Sequence, residues 1–148
     1  ASEEFGDAMR RKNVAHRVAA AKAGLAGRRV LLAEDVDLNA EIMAMVLAMR
    51  EIETERAVNG RLAVDMFAEA EPGHVDAILM DIRMPEMNGL DATRIIKEVN
   101  HNTPVVALSA YAFEENIRDA KNAGCDEFRA KPFKVENLIE MVRKYLDQ

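Results

Sequence analysis

The stretch Val75-Asp-Ala-Ile-Leu-Met80 decides the fold. It is short, apolar apart from Asp76, and followed at once by an acid, Asp81. A short run with apolar residues on both alternating faces predicts a strand buried on both sides, as in a parallel sheet covered by helices. Working outward, Arg29-Val-Leu-Leu-Ala33 and Pro104-Val-Val-Ala-Leu108 have the same texture. Thr54-Glu-Arg-Ala-Val58 is partly polar and suits an edge strand. Glu127 to Ala130 supplies a short fifth strand.

Helical stretches fill the intervals. They are predicted over Asp37 to Arg50, Arg61 to Ala70, Gly89 to Val99, Phe113 to Ala123 and Val135 to Leu146. Asp37 is the expected N-cap of the first. Asn59-Gly60, Pro72-Gly73 and Gly124 mark turns and stops. Strict alternation with short connections implies parallel strands and right-handed crossovers. The expected fold is therefore α/β, a doubly wound five-stranded parallel sheet, with function gathered beyond the strands' C-terminal ends.

Bulk properties narrow the function classes. The 148 residues suffice for one core. No apolar run approaches the roughly 20 residues of a membrane span, and the N-terminus is too polar for a signal peptide. Cys125 is the single cysteine, so no intrachain disulfide forms and a reducing cytoplasm fits. The net charge of −6 is uneven: residues 1–28 carry six basic and three acidic groups, leaving −9 for the remainder. Such an acidic domain repels a nucleic-acid backbone and suits a cation or basic partners. Residues 1–28 read as a linker or tail, partly helical, with Arg10 to Lys22 rich in Ala and Arg. Residues 29–148 form the folded domain.

Four of the five predicted strand ends carry chemistry: Glu34-Asp35, Asp81, Ser109 and Lys131-Pro132. Converging carboxylates repel one another, and a divalent cation removes the conflict. Mg²⁺ wants hard oxygen ligands and suits carboxylates beside a phosphate. Lys131 adds a point positive charge, and a carboxylate can itself be the nucleophile that forms an aspartyl phosphate. Each acid alone reads equally well as a helix cap or a solvated loop. All four groups at separate strand ends of one sheet do not.

With these residues in place, the chain from Arg29 to Leu146 resembles the receiver domains of two-component response regulators. The motifs are Val30-Leu-Leu-Ala-Glu-Asp35, Met80-Asp-Ile-Arg-Met-Pro-Glu-Met-Asn-Gly89, Ala107-Leu-Ser-Ala110 and Ala130-Lys-Pro-Phe133. The resemblance implies a flavodoxin-like (βα)5 sheet with strand order 2-1-3-4-5. It implies that Asp81 accepts a phosphoryl group. Glu34, Asp35, Asp81 and the backbone carbonyl of Arg83 would hold Mg²⁺, and Lys131 would contact the phosphoryl group. Ser109 and Phe128 would be the switch residues, with Phe in place of the more usual Tyr or His. Arg83 and Tyr111 would tune the lifetime of the phosphate, and Pro85 and Gly89 would shape the loop after Asp81. The Glu-Asp pair resembles receivers attached to hybrid histidine kinases, and the chain begins at Ala1 without Met. The expectation is a receiver that stands alone or comes from a hybrid kinase or multidomain regulator, with the hybrid origin favoured.

The implied function is phosphorelay: transfer from a phosphohistidine on a histidine kinase or histidine phosphotransfer protein, which includes kinase domains of the same chain. The response would be a change in the surface of the fourth helix, fifth strand and fifth helix. No enzymatic activity is implied beyond its own phosphorylation and dephosphorylation, and neither nucleic acid nor membrane is an expected partner. On the first helix, Met43, Val46 and Leu47 suit the core, while Leu38, Ile42 and Met45 form a neighbouring stripe. That stripe is either part of a broad buried face or a docking surface for the donor. Alternative readings are a receiver that only docks and is never phosphorylated, and a haloacid-dehalogenase-type phosphatase built on Asp35 and Asp37. The phosphatase leaves the Asp81 block unexplained. An EF-hand beginning at Asp35 fails, because Ala40 stands where Gly is needed. His16, His74 and His101 lie in no kinase-like motif, and Cys125 reads as a small core residue.

Overall fold

The computed structural model describes residues 25–146. The strands are β1 (Arg29–Ala33), β2 (Glu53–Ala57), β3 (Ala77–Asp81), β4 (Val105–Ser109) and β5 (Glu127–Ala130). The helices are α1 (Asp37–Ala48), α2 (Gly60–Glu69), α3 (Gly89–Val99), α4 (Glu114–Ala123) and α5 (Val135–Leu146). The strands form one parallel sheet in the order β2-β1-β3-β4-β5. This is the doubly wound sheet that the alternation implies, in the flavodoxin-like (βα)5 strand order that the receiver resemblance implies.

Every residue of β3 and β4 is buried. The pleat sends alternate side chains into two separate cores. On one face Leu32, Leu79, Val106 and Leu108 meet Met43 and Leu47 of α1 and Leu138, Met141 and Val142 of α5. On the other, Leu31, Ile78, Met80 and Val105 meet Ala63 and Phe67 of α2 and Ala92 and Ile96 of α3. Two covered faces explain why the central strands lack polar alternation.

Local chemistry sets most helix ends. Asn59 accepts a hydrogen bond from the Leu62 amide at 2.8 Å and caps α2. Asn88 accepts from the Asp91 amide at 2.9 Å and caps α3. Gly124, at φ 104°, ends α4 in the left-handed conformation that favours glycine.

Several boundaries differ from expectation. Asp37 is not the N-cap of α1; Val36 holds that position without a side-chain bond. Asp37 lies in the first turn, and its carboxylate goes to Arg56 instead, at 2.6 Å. Helix α1 stops at Ala48 rather than Arg50, because the chain reverses through Glu51 at φ 59°. Strand β2 starts one residue earlier than predicted, which leaves Val58 exposed after it. Strands β3 and β4 run one residue further, since Asp81 pairs with Leu108 and Ser109 with Ala130 in the ladder. Val75 is buried but precedes β3. Of the segment read as linker, Leu25 is buried in the core and the Gly27 amide donates to the Glu51 carbonyl at 2.9 Å. The helix expected over Arg10 to Lys22 lies outside the described residues.

Candidate functional site

At the C-terminal edge of the sheet, β1 and β3 deliver their acids side by side. Carboxylate oxygens of Glu34, Asp35 and Asp81 lie within 4.8 Å of one another. Glu34 and Asp81 are buried, whereas Asp35 is exposed. From the end of β5, the Lys131 ammonium donates to Glu34 Oε1 at 3.0 Å and stands 3.5 Å from Asp81 Oδ2. The Lys131–Pro132 peptide is cis. From β4, buried Ser109 points its hydroxyl to the same edge, where Oγ accepts from the Tyr111 amide at 3.0 Å.

The electrostatics follow from this crowding. Burial, with the neighbouring Glu34 carboxyl, pushes the Asp81 pKa up to about 7, and Lys131 opposes the rise. Burial also works against the charge on Glu34. Its hydrogen bonds with Asp81 and Lys131 outweigh that cost and hold Glu34 below the usual carboxylate range. Two buried acids this close do not both ionise without a further cation. Hard carboxylate oxygens from Glu34, Asp35 and Asp81, open to solvent at Asp35, fit a magnesium-type ion that retains water.

The loop after Asp81 is fixed from several sides. The Arg83 amide donates to Asp81 Oδ1 at 3.2 Å, and the Gly89 amide to the Ile82 carbonyl at 2.8 Å. A Cβ at Gly89 would collide with the Asp81 carbonyl oxygen, so only glycine lets α3 start this close to the site. The Arg83 guanidinium, two residues beyond Asp81, lies over the ring of Tyr111, two residues beyond Ser109, 3.9 Å from its centroid. Phe128 is half-buried on β5.

Beside Lys131 a cleft of about 360 Å³ runs between Glu34, Asn39, Ile42, Met43, Ala110 and Phe133. On α1, Leu38, Ile42 and Met45 are 64%, 49% and 67% exposed, whereas Met43, Val46 and Leu47 are buried. The stripe is therefore not part of a broad buried face. The other candidates stand apart from the cluster. His74 lies between Arg29 and Glu55, near the strands' N-terminal ends. His101 is exposed, and His16 lies outside the described residues. Cys125 is half-buried against the second core, and burial pushes its thiol up.

Arg56 escaped the sequence reading. It sits on β2, in register with Leu32 and next to the acidic end of β1. Its Nε and Nη2 donate to the Glu34 carbonyl at 3.0 and 2.9 Å. The available signal was its place one residue from the end of an edge strand, which only the lateral strand order makes meaningful.

The model of the response regulator receiver domain matches residues 30–143. The polar-differentiation response regulator DivK of Brucella anthropi is 34% identical over 122 residues, covering 80% of this chain and 96% of DivK. The Escherichia coli regulatory protein AtoC is 36% identical over 118 residues, which is 80% of this chain but 25% of AtoC. Among solved structures, the receiver domain of a Francisella response regulator aligns with TM-score 0.74 and 29% identity, over 80% of this chain and 96% of that one. The receiver domain of a Pseudomonas aeruginosa sensor histidine kinase aligns with TM-score 0.74 and 29% identity, over 82% of this chain and 98% of that one. That structure has a magnesium ion coordinated in its active site cleft. A match running the length of the sheet, joined to likeness over nearly the whole of several receivers, means that the chain belongs to the response regulator receiver domain family of two-component signalling.

Proposed function

We propose that this domain accepts a phosphoryl group on Asp81 from a phosphohistidine, with Mg²⁺ held by Glu34, Asp35, Asp81 and the Arg83 carbonyl. One observation carries the proposal: Asp81 meets two further carboxylates within 4.8 Å and an ammonium at 3.5 Å. When bound, the metal would offset charge on the phosphoryl oxygens and let both buried acids ionise. An Asp81 carboxylate oxygen attacks phosphorus in line; the O–P bond forms as the N–P bond breaks, and the histidine leaves with its electron pair. Lys131 neutralises part of the charge that gathers on the equatorial oxygens.

Ser109 Oγ, now accepting from the Tyr111 amide, turns its proton to the new phosphoryl oxygens. Phe128 follows into the vacated space, and the population shifts to a second arrangement of the α4–β5–α5 surface. Exposed Phe113 and Ile117 lie on that surface. Arg83 and Tyr111 border the approach of the water that later hydrolyses the acyl phosphate. The stripe of Leu38, Ile42 and Met45 beside the site receives the donor's helices, and methionine adapts to such contacts. A histidine kinase or phosphotransfer protein in the cytoplasm is the partner that fits, whether separate or joined to this domain through residues 1–28.

Intact-mass spectrometry after incubation with acetyl phosphate tests the proposal. One added phosphoryl group with Mg²⁺, and none with EDTA, is the expected result. No adduct in the folded wild type would leave two readings, a receiver that takes phosphate only from a protein donor and one that docks without being phosphorylated; incubation with a phosphohistidine protein separates them.

A further inference from the structure

The backbone of Glu34 is tied to the edge strand at both its polar groups. Its amide donates to the Ala57 carbonyl at 3.0 Å. Its carbonyl accepts two bonds from the Arg56 guanidinium, at 3.0 and 2.9 Å. The third arm of the same guanidinium reaches Asp37 Oδ1 at 2.6 Å, across the loop that carries Asp35. One side chain thus grips the acidic loop on both sides of Asp35.

We propose that Arg56 is a positioning residue for the cation site. It sets where the chain leaves β1, and so where the Glu34 and Asp35 carboxylates stand. The inference rests on the magnesium reading of the cluster and adds a residue to it. Arginine suits the task because its planar fork presents several donors at fixed angles; a lysine ammonium is a point charge without that geometry. A guanidinium next to a cation site also repels the cation. Here the Asp37 carboxylate offsets that charge at contact distance, and solvent screens the remainder, since the Arg56 side chain is 27% exposed. The orienting bonds therefore outweigh the repulsion. Groups that orient a metal ligand without touching the metal change affinity by roughly 10- to 100-fold when removed.

The test is titration of the full chain with MgCl₂ by isothermal calorimetry, with thermal unfolding of the metal-free protein alongside. Arg56→Ala weakens Mg²⁺ binding about tenfold or more, and Arg56→Lys falls between it and wild type. Glu53→Ala is the control: it removes an ion pair with Arg29 at the other end of the same strand. It should leave Mg²⁺ affinity within twofold of wild type, whatever it does to melting. If Arg56→Ala does not fold, Arg56→Lys carries the test, and wild-type affinity in that variant overturns the proposal. Unchanged or tighter Mg²⁺ binding in a folded Arg56→Ala overturns it too, as does an equal loss in Glu53→Ala. A wild-type chain that binds no Mg²⁺ would sink the underlying magnesium reading instead.

Discussion

The fold makes Asp81 a carboxyl that gives up its proton only near neutral pH. Its pKa is pushed up to about 7 by burial and by Glu34. A carboxyl raised in the folded state binds more protons there than in the unfolded chain. Its stabilising contribution is complete below the ordinary aspartate range and fades as pH rises through 7. Glu34, held low, acts in the opposite sense, but only where pH falls below the ordinary glutamate range. The two windows are separate. In EDTA, the wild type should therefore lose melting temperature relative to Asp81→Asn between pH 5.5 and 8, and Mg²⁺ should raise the melting temperature more at pH 8 than at 5.5. An equal Mg²⁺ effect at both values would contradict the shift. A second prediction concerns the Arg83–Tyr111 stack. With the two groups stacked on each other and proposed to cover the site together, Arg83→Ala and Tyr111→Ala should each speed loss of the phosphoryl group several-fold, and the double variant should add little. Additive rates in a double-mutant cycle would show independent roles. Glu34-Asp35, Asp81 and Ser109 were legible in the sequence because each closes a short apolar run, and Lys131 because a Lys-Pro pair follows the short fifth strand. Arg56 was not, since its meaning comes from a neighbour 22 residues away in sequence.

At the scale of elements, the α3 start is the most constrained junction. Gly89 admits the Asp81 carbonyl into space that any Cβ would fill. Gly89→Ala should destabilise by about 1–3 kcal/mol or more and also impair phosphorylation, because the displaced backbone is that of Asp81. Asn88→Ala, one residue earlier, removes the cap and an exposed bond from its amide to the Asp91 carboxylate, and should cost about 1 kcal/mol with phosphorylation intact. Denaturant melts and acetyl phosphate labelling separate the two. Helix α1 offers a third contrast. Ile42→Glu lies on the exposed stripe, so stability should stay within about 0.5 kcal/mol and labelling by acetyl phosphate should persist. Transfer from a phosphohistidine protein should fall at least tenfold; unchanged transfer would remove α1 from the docking surface. Element identity and succession along the chain were readable from texture, whereas the lateral strand order came with the family resemblance. The ends of α1, β2, β3 and β4 were not, because ladder register and the reversal at Glu51 set them, and neither is a local property of sequence.

At the scale of the molecule, the doubly wound order brings distant residues to one edge. β1 and β3 are neighbours, so Glu34 and Asp81 meet although 47 positions separate them, and β5 returns Lys131 to Glu34 across 97. The two apolar cores hold the sheet between helix layers and leave that edge open to solvent. Among the described residues, no helix is long and apolar enough to cross a membrane. The proposed chemistry puts one phosphoryl group on the Asp81 carboxylate at this edge. The most direct measurement is borohydride reduction of the acetyl phosphate-treated protein in Mg²⁺, followed by peptide mass spectrometry, since reduction converts an aspartyl phosphate to homoserine. Homoserine at position 81 alone, absent when EDTA replaces Mg²⁺, is the predicted result. Homoserine at Asp35, or none in a folded and Mg²⁺-loaded protein, would contradict it.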